Sequence, residues 1–151
     1  MTKIVRYILG GIIAAVAIGV IVLCLLFGFA IYGYRAAIRA GNAEATLQNL
    51  KTIAFVEQEY YNSHSRRFGT FRQLVSEQLL SRKFDGDPVT VDGYVLTLIA
   101  LPGSGSVRSS YTVRADPLNR EQGANNFYLD SESTQIHVNH ERPAGPDDPI
   151  W

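Results

Sequence analysis

The stretch ILGGIIAAVAIGVIVLCLLFGFAIYGY, residues 8–34, decides the fold of this 151-residue chain. It runs for 27 residues without an Asp, Glu, Lys, Arg or His side chain. As an α-helix it would be ~40 Å long, which exceeds the ~30 Å hydrocarbon core of a bilayer. The apolar part of a secretory signal peptide is much shorter, at ~7–15 residues. The sequence therefore predicts a transmembrane helix over residues 8–34, preceded by a basic cytoplasmic stub at residues 1–7.

The composition of the whole chain is an average of this apolar segment and an ordinary polar domain. The chain carries 14 basic and 14 acidic side chains, so its formal net charge is zero. This balance excludes a strongly basic nucleic-acid-binding protein, and the single cysteine, Cys24, excludes a disulfide-stapled scaffold. The partners that the sequence predicts are other membrane-protein helices, in a hetero- or homo-oligomeric assembly, and membrane lipids, with no nucleic acid.

The charges that flank the apolar segment do not decide its orientation. Lys3 and Arg6 precede it, whereas Arg35 and Arg39 follow it. Because the polar domain lies entirely C-terminal to this one membrane span, we expect a cytoplasmic N-terminus and a periplasmic or otherwise extracytoplasmic C-terminal domain.

Small residues recur every four positions at Gly11, Ala15 and Gly19. This spacing places them on one helix face, where another helix can approach closely. We therefore name these three residues as the candidate helix-packing site. The alternative is that Gly and Ala are simply frequent in membrane helices.

The C-terminal end of the apolar segment is rich in aromatic residues. Gly28 and Gly33 lie there among Phe27, Phe29, Tyr32 and Tyr34. Tyr and Trp are enriched where a membrane helix meets water, so this cluster is typical of an interfacial belt.

The helical pattern continues beyond the membrane segment as a predicted soluble helix over residues 35–65. Its apolar positions recur at helical spacing and form one broad face. They are Ala43, Leu47, Leu50, Ile53, Ala54, Val56 and Tyr60. Gly41 and Asn42 lower the helix propensity locally, so a bend is expected there.

Residues 66–141 are predicted to form a small α+β domain. Thr70 and Gln73 match a capping box that begins a second helix, with Phe71, Leu74, Val75 and Leu79 on its apolar face. The segments that favour β-strands are residues 94–101, 108–115, 126–130 and 134–139. The Pro-rich tail, residues 142–151, should lack regular structure, although Ile150 and Trp151 could dock on a hydrophobic surface. The fold class predicted is α+β, with a long transmembrane-to-soluble helix packed on a small antiparallel sheet.

Two clusters of potential metal ligands can also be explained without a metal ion. His137 and His140, next to Glu141, would point to opposite faces of a strand, so surface histidines are favoured over a metal site. Asp85, Asp87 and Asp92 could hold calcium through their carboxylates, but the loop lacks the bidentate Glu of an EF-hand and also fits a simple turn. Tyr60, Tyr61 and Tyr94 are interpreted as core or interface aromatics.

No stretch of the chain combines a nucleophile, a base and oxyanion donors. Gly103-Ser104-Gly105 matches neither a phosphate-binding loop nor a GxSxG elbow, and it predicts a hairpin turn. We therefore expect no enzymatic activity, no catalytic residues and no cofactor, apart from lipid or pigment that could contact the helix.

Charge differs between the two halves of the polar part. Residues 35–83 carry a net charge of +4, whereas residues 84–151 carry −6. The basic half could face anionic lipid headgroups, or two copies could attract each other head to tail. An ordinarily solvated surface with uneven loops is the third interpretation.

Residues 43–80, AEATLQNLKTIAFVEQEYYNSHSRRFGTFRQLVSEQLL, follow an apolar helix and resemble type IV pilins and the pseudopilins of type II secretion. The family pattern A-x-x-x-L-[RK]-T-I, with a later Tyr and then Y-G-T-L-x-x-L, has its counterparts at Ala45, which is one residue further from the Leu than in the pattern, and at Leu50, Lys51, Thr52, Ile53, Tyr60 or Tyr61, Phe68, Gly69, Thr70, Phe71 and Leu74. The resemblance implies a lollipop-shaped pilin-like fold, a location in the bacterial inner membrane and a structural role in an extracytoplasmic assembly.

The N-terminal end of the chain departs from the family pattern. Family precursors are cut after a Gly and have Glu at the fifth position of the mature chain. The register of the helices puts the processing site after Gly10, so Ala15 stands where the family has Glu. Two hypotheses remain open. The chain is either a pilin-like structural subunit, or an unprocessed accessory subunit of a respiratory or photosynthetic membrane complex whose outer domain docks or shields a partner.

Overall fold

The computed structural model describes residues 2–119 and 124–151, with side chains from residue 16 onward. It divides the chain into two compact units, residues 1–39 and residues 40–151. The first unit is helical throughout its described residues. The second, which we call the sheet domain, contains the rest of the same helix, a short second helix and all of the strands. An apolar N-terminal helix with an antiparallel sheet confirms the predicted α+β class.

Helix α1 extends over Thr2–Ser63 and continues through Gly41 and Asn42. Its residues at helical spacing between 43 and 60 are buried, as the apolar stripe predicts. The helix ends within two residues of the predicted boundary at residue 65. Ser65 and Arg66 then adopt positive φ angles of 54° and 61°, which turn the chain away from the helix axis.

Helix α2, Phe71–Ser76, begins at the predicted capping box. The Thr70 hydroxyl accepts from the Gln73 amide, and the Gln73 side-chain oxygen accepts from the Thr70 N–H at 2.9 Å. Phe71 and Leu74 are buried, but the helix ends before Leu79, which packs against the core from the following turn. Residues Arg82–Phe84 then form one turn of 3₁₀-helix, η1.

The capping box gives a first testable prediction. Replacing Thr70 with Ala removes the acceptor for the Gln73 amide, and we expect it to lower the free energy of unfolding of the sheet domain by about 1 kcal/mol. Chemical denaturation followed by Trp151 fluorescence measures this change. Thr90→Ala, at an exposed position on a strand, is the control, and an equal loss in both variants would contradict a specific role for the cap.

The sheet is a five-stranded antiparallel meander in the order β1-β2-β3-β4-β5. Its strands are β1 Val89–Val91, β2 Tyr94–Leu101, β3 Ser110–Pro117, β4 Asn126–Asp130 and β5 His137–Asn139. β2 and β4 have the predicted bounds, whereas β3 lies two residues further along the chain than predicted and β5 is shorter. Strand β1 was not predicted, because its three residues are too few to show alternation.

The hydrophobic core lies between α1 and one face of the sheet. Alternate residues of each strand point into it, and Leu96, Val113 and Phe127 are fully buried. They meet Leu50 and Ile53 from the apolar stripe of α1. The position of this helix on the sheet therefore follows from the two periodicities, 3.6 and 2 residues.

The C-terminal tail is irregular over most of its length, but its end pairs with β5. The Val138 N–H donates to the Pro149 carbonyl and the Trp151 N–H donates to the Ile136 carbonyl, each at 2.8 Å. The indole of Trp151 also packs edge-on against Phe127, with ring centroids 5.5 Å apart. The expected docking is confirmed for the Trp151 ring, whereas the Ile150 side chain is exposed and this residue forms a backbone bridge with His137.

Candidate functional site

The part of α1 between residues 16 and 34 exposes all of its side chains. An 18-residue window of this helix has a mean hydropathy of 2.6, and none of it is buried. It is the one helix in the described part of the chain that is long and apolar enough to cross a membrane. Since these apolar side chains are exposed in the described part of the chain, the segment needs lipid or another protein as its surroundings.

The predicted helix-packing site lies only partly within the described side chains. Gly11 and Ala15, like the processing position Gly10, belong to helix α1 but lie outside the residues with described side chains. At Gly19 an added Cβ would meet nothing within 4 Å. The same is true at Gly28, Gly33 and Gly41, so this open space follows from the exposure of the helix, and the packing face stays a prediction.

The aromatic belt predicted at the end of the apolar segment is exposed. Phe29 and Tyr32 have exposed fractions of 75% and 72%, and Phe27 and Tyr34 are also exposed. Cys24 is exposed and has no disulfide partner. Rings and thiol alike are thus free to contact lipid or a neighbouring helix.

A buried carboxyl group lies in the core of the sheet domain, at Glu57 on α1. Its Oε2 accepts a hydrogen bond of 2.9 Å from the Gly69 N–H, while its Oε1 is buried without a partner among the described residues. Burial, only partly offset by the Gly69 hydrogen bond, raises the pKa of this group to about 7. At neutral pH the core therefore contains a carboxyl group close to its midpoint of ionisation.

Aromatic residues surround Glu57, and no cation among the residues that the structure describes forms an ion pair with it. Burial raises the pKa of Tyr60, and the charges of Glu77 and Glu57 add to this increase. Burial, with a smaller contribution from Glu57, also raises the pKa of Tyr111. Gly69 allows close packing, since a Cβ there would approach the Leu74 side chain to 3.0 Å.

The sequence pattern contained a signal for this buried carboxyl group. Glu57 is four residues after Ile53 and three before Tyr60, so it lies on the apolar stripe of α1. Glu57 was nevertheless not among the predicted site residues, because a single acidic residue on a helix is usually solvated. Burial of Glu57 depends on the connection between α1 and α2 that covers it.

Of the three acidic residues considered for calcium, Asp85 and Asp87 are exposed in the connection between η1 and β1, whereas Asp92 lies in the turn of the β1–β2 hairpin. Asp92 and Gly93, with φ angles of 50° and 76°, form the two-residue turn between paired Val91 and Tyr94. The Asp92 carboxylate accepts from the Asn49 side chain at 2.7 Å and lies 3.5 Å from Lys83 Nζ. Within residues 16–119 and 124–151, no group of three or more His, Cys, Asp or Glu side chains could hold a metal ion.

The two histidines considered as metal ligands are far from equivalent. His137 is buried and its ring Nδ1 donates to the Asp148 carbonyl at 2.6 Å, so the interpretation as a surface histidine is wrong for this residue. The docked tail covers it. His140 is exposed and bonds to the Asn125 side chain at 2.7 Å.

The predicted hairpin turn and the three tyrosines were also interpreted from the sequence. Ser104 and Val107 form an isolated bridge within the β2–β3 loop, which is consistent with a turn around Gly103–Gly105. Tyr60 and Tyr94 are buried in the core, and Tyr61 stacks on Phe68 with a centroid distance of 4.7 Å. These contacts confirm the interpretation of the three tyrosines as packing residues.

Comparison with known proteins identifies no family: no family model, curated protein or solved structure matches this chain.

Proposed function

We propose that this protein is a non-enzymatic structural subunit, anchored in the bacterial inner membrane by one helix and assembled with other membrane proteins through that helix. Its N-terminus is cytoplasmic, and the sheet domain lies on the periplasmic or extracytoplasmic side. The resemblance of residues 43–80 to pilins and pseudopilins supports a pilin-like role. The observation that carries the proposal is the complete exposure of the apolar helix between residues 16 and 34.

The small residues of this helix favour association over an isolated anchor. A bilayer satisfies the apolar side chains, but it does not fill the open space at Gly19 as closely as a second helix does. The packing face defined by Gly11, Ala15 and Gly19 would bring two backbones together, so that dispersion contacts accumulate along it.

An accessory subunit of a respiratory or photosynthetic complex is the second candidate. Ala15 favours it, because a pilin-like filament relies on a Glu at that position to meet the N-terminus of the next subunit. In this alternative the chain keeps its leader, the helix packs on partner helices, lipid or pigment, and the sheet domain docks or shields a partner. The intact mass of the native protein separates the candidates, since cleavage after Gly10 removes ten residues.

Co-purification tests whether the helix assembles through the predicted face. The double variant Gly11→Leu and Gly19→Leu adds bulk at the contact, and we expect it to reduce recovery of partner chains from mild detergent about tenfold or more. The measurement is quantitative mass spectrometry of the chains captured with the tagged protein from its native membrane.

The control is a matched pair of single substitutions on opposite helix faces. Gly19→Leu alone should reduce partner recovery, whereas Ala17→Leu, about 200° away around the helix, should not. If both variants retain their partners at the level of the unaltered chain, the helix does not associate through Gly11, Ala15 and Gly19.

A further inference from the structure

The sheet domain contains a cleft of about 370 Å³ beside the C-terminal end of α1. Helix α1 contributes one wall, and the β2–β3 loop contributes the other. The lining residues are Tyr61, Arg66, Gly103, Val107, Arg108 and Ser109. We call this the arginine cleft, and we infer that it binds a phosphate group carried by a small molecule or a lipid headgroup.

The first reason for this inference is that the arginine cleft carries positive charge without a counter-ion. Within the described residues, the guanidinium groups of Arg66 and Arg108 form no salt bridge or side-chain hydrogen bond. None of the six lining residues is acidic, and the stretches that supply them, residues 61–66 and 103–109, contain no Asp or Glu. Glu77 is engaged by His64, which belongs to the first of these stretches, at 2.9 Å. Two full positive charges therefore line a space that has no acidic side chain of its own.

The backbone holds the two arginines next to each other. The Ser109 hydroxyl donates to the Arg66 carbonyl at 2.6 Å, so the residue after Arg108 is bonded directly to Arg66. Arg66 is also fixed on its other side, because its N–H donates to the Tyr61 carbonyl at 3.1 Å. Close packing of the loop depends on Gly103, where an added Cβ would lie 2.8 Å from the Ser109 nitrogen. These contacts hold the backbone of both arginines at the lining of the cleft.

Capping of α1 does not account for this charge. Cations often lie at the C-terminal end of a helix because its last carbonyls carry partial negative charge. Here the Tyr60 carbonyl accepts from the His64 N–H and the Tyr61 carbonyl accepts from the Arg66 N–H. Arg108 belongs to the β2–β3 loop and not to the helix. The N–H donors of both guanidinium groups remain available for a ligand.

Phosphate is the anion that matches these donors best. A guanidinium group presents paired N–H donors that match two phosphate oxygens, and two such groups can neutralise a doubly charged phosphate. The volume of the cleft falls within the ~300–1,000 Å³ range of small-molecule sites. The ring of Tyr61 and the exposed side chain of Val107 supply apolar surface for the body that carries the phosphate.

The test uses the full chain in nanodiscs of zwitterionic phosphatidylcholine, with pyrophosphate as the probe and titration calorimetry as the measurement. We expect the double variant Arg66→Gln and Arg108→Gln to bind pyrophosphate about tenfold more weakly or worse. The matched control is Arg67→Gln with Arg72→Gln, which removes two exposed positive charges from the same region but none from the lining. That control should change the affinity by less than about threefold.

Two further arms complete the experiment. In the first, phosphatidylglycerol is added to the nanodisc. If it weakens pyrophosphate binding to the unaltered chain but not to the variant with Arg66→Gln and Arg108→Gln, the phosphate group belongs to a lipid headgroup. If it has no effect on either chain, the phosphate group belongs to a soluble compound. Should the double variant fail to fold, Arg108→Gln is compared with Arg72→Gln instead. Absence of pyrophosphate binding, or an equal loss in the cleft and control variants, would overturn the inference.

Discussion

Between pH 5 and pH 8 the sheet domain is expected to lose about 2 to 3 kcal/mol of its free energy of unfolding, and Glu57→Gln is expected to abolish most of that loss. The reason is that the pKa of Glu57 is raised from 4.5 to about 7 in the folded protein. A proton is therefore bound more tightly in the folded state than in the unfolded state. The stabilisation is fully present below pH 4.5 and is lost as the pH rises through 7.

The substitution keeps the geometry and removes the ionisation. A glutamine oxygen can accept from the Gly69 N–H as the Glu57 Oε2 does, but the amide remains neutral at every pH in the window. The variant should therefore resemble the protonated carboxyl group. Its greatest advantage over the unaltered chain appears at pH 8, where the unaltered chain must bury a carboxylate whose other oxygen has no partner.

Urea denaturation of the full chain at several pH values, followed by the fluorescence of Trp151, measures the effect. Trp151 is the only tryptophan and packs against the buried Phe127, so it reports on the sheet domain. Glu59→Gln is the matched control, because Glu59 lies two residues away on the exposed face of the same helix. A pH dependence that is the same in Glu57→Gln, Glu59→Gln and the unaltered chain would show that Glu57 titrates like a solvated carboxyl group.

Local sequence signals were sufficient for much of this fold. The stripe that includes Leu50 and Ile53 fixes which face of α1 is buried, since helical spacing alone decides it. Thr70 and Gln73 define the start of α2 within four residues of sequence. Strands β2 and β4 were correct because each has enough β-branched and aromatic residues between turn formers.

The features that could not be predicted depend on contacts distant in sequence. Strand β1 exists because Val89–Val91 pairs with β2 through the Asp92–Gly93 turn, and three residues carry too little pattern by themselves. Burial of His137 requires the tail to fold back and place the Asp148 carbonyl against its ring. Burial of Glu57 likewise requires residues 64–70 to close over the end of α1.

The apolar character of the membrane segment could be predicted from the sequence, but the molecules that contact it could not. The absence of charge identifies residues 8–34 as a membrane segment, and the exposure of the side chains of residues 16–34 agrees with that interpretation. The arginine cleft left no comparable signal, because Arg66 and Arg108 are separated by 42 positions and are brought together by contacts of the folded chain such as the Ser109 hydrogen bond. Specific partners depend on surfaces of other molecules, which one sequence does not contain.

Two charges in the middle of the apolar segment are expected to abolish membrane anchoring while the sheet domain remains folded. Leu23 and Leu26 are both exposed and lie near the centre of residues 16–34. An arginine at the centre of a membrane helix costs ~2.5–3.5 kcal/mol, so Leu23→Arg with Leu26→Arg should cost about 5 to 7 kcal/mol. That free energy corresponds to roughly four to five powers of ten in partitioning. The loop residues that cover the core are unchanged, so Trp151 fluorescence should keep its native value.

Alkaline carbonate extraction and flotation on a density gradient measure the loss of anchoring. The matched control places the same two arginines at Gln48 and Thr52, which are exposed positions of α1 within the sheet domain. That variant should float with the membranes like the unaltered chain, because its added charges remain in water. If the Leu23→Arg and Leu26→Arg variant also floats and resists extraction, the sheet domain or a partner protein must hold the chain at the membrane. A segment that tolerates two central arginines without release would not be surrounded by lipid, and the apolar helix would have to be sheltered within a protein assembly that supplies polar partners for both guanidinium groups.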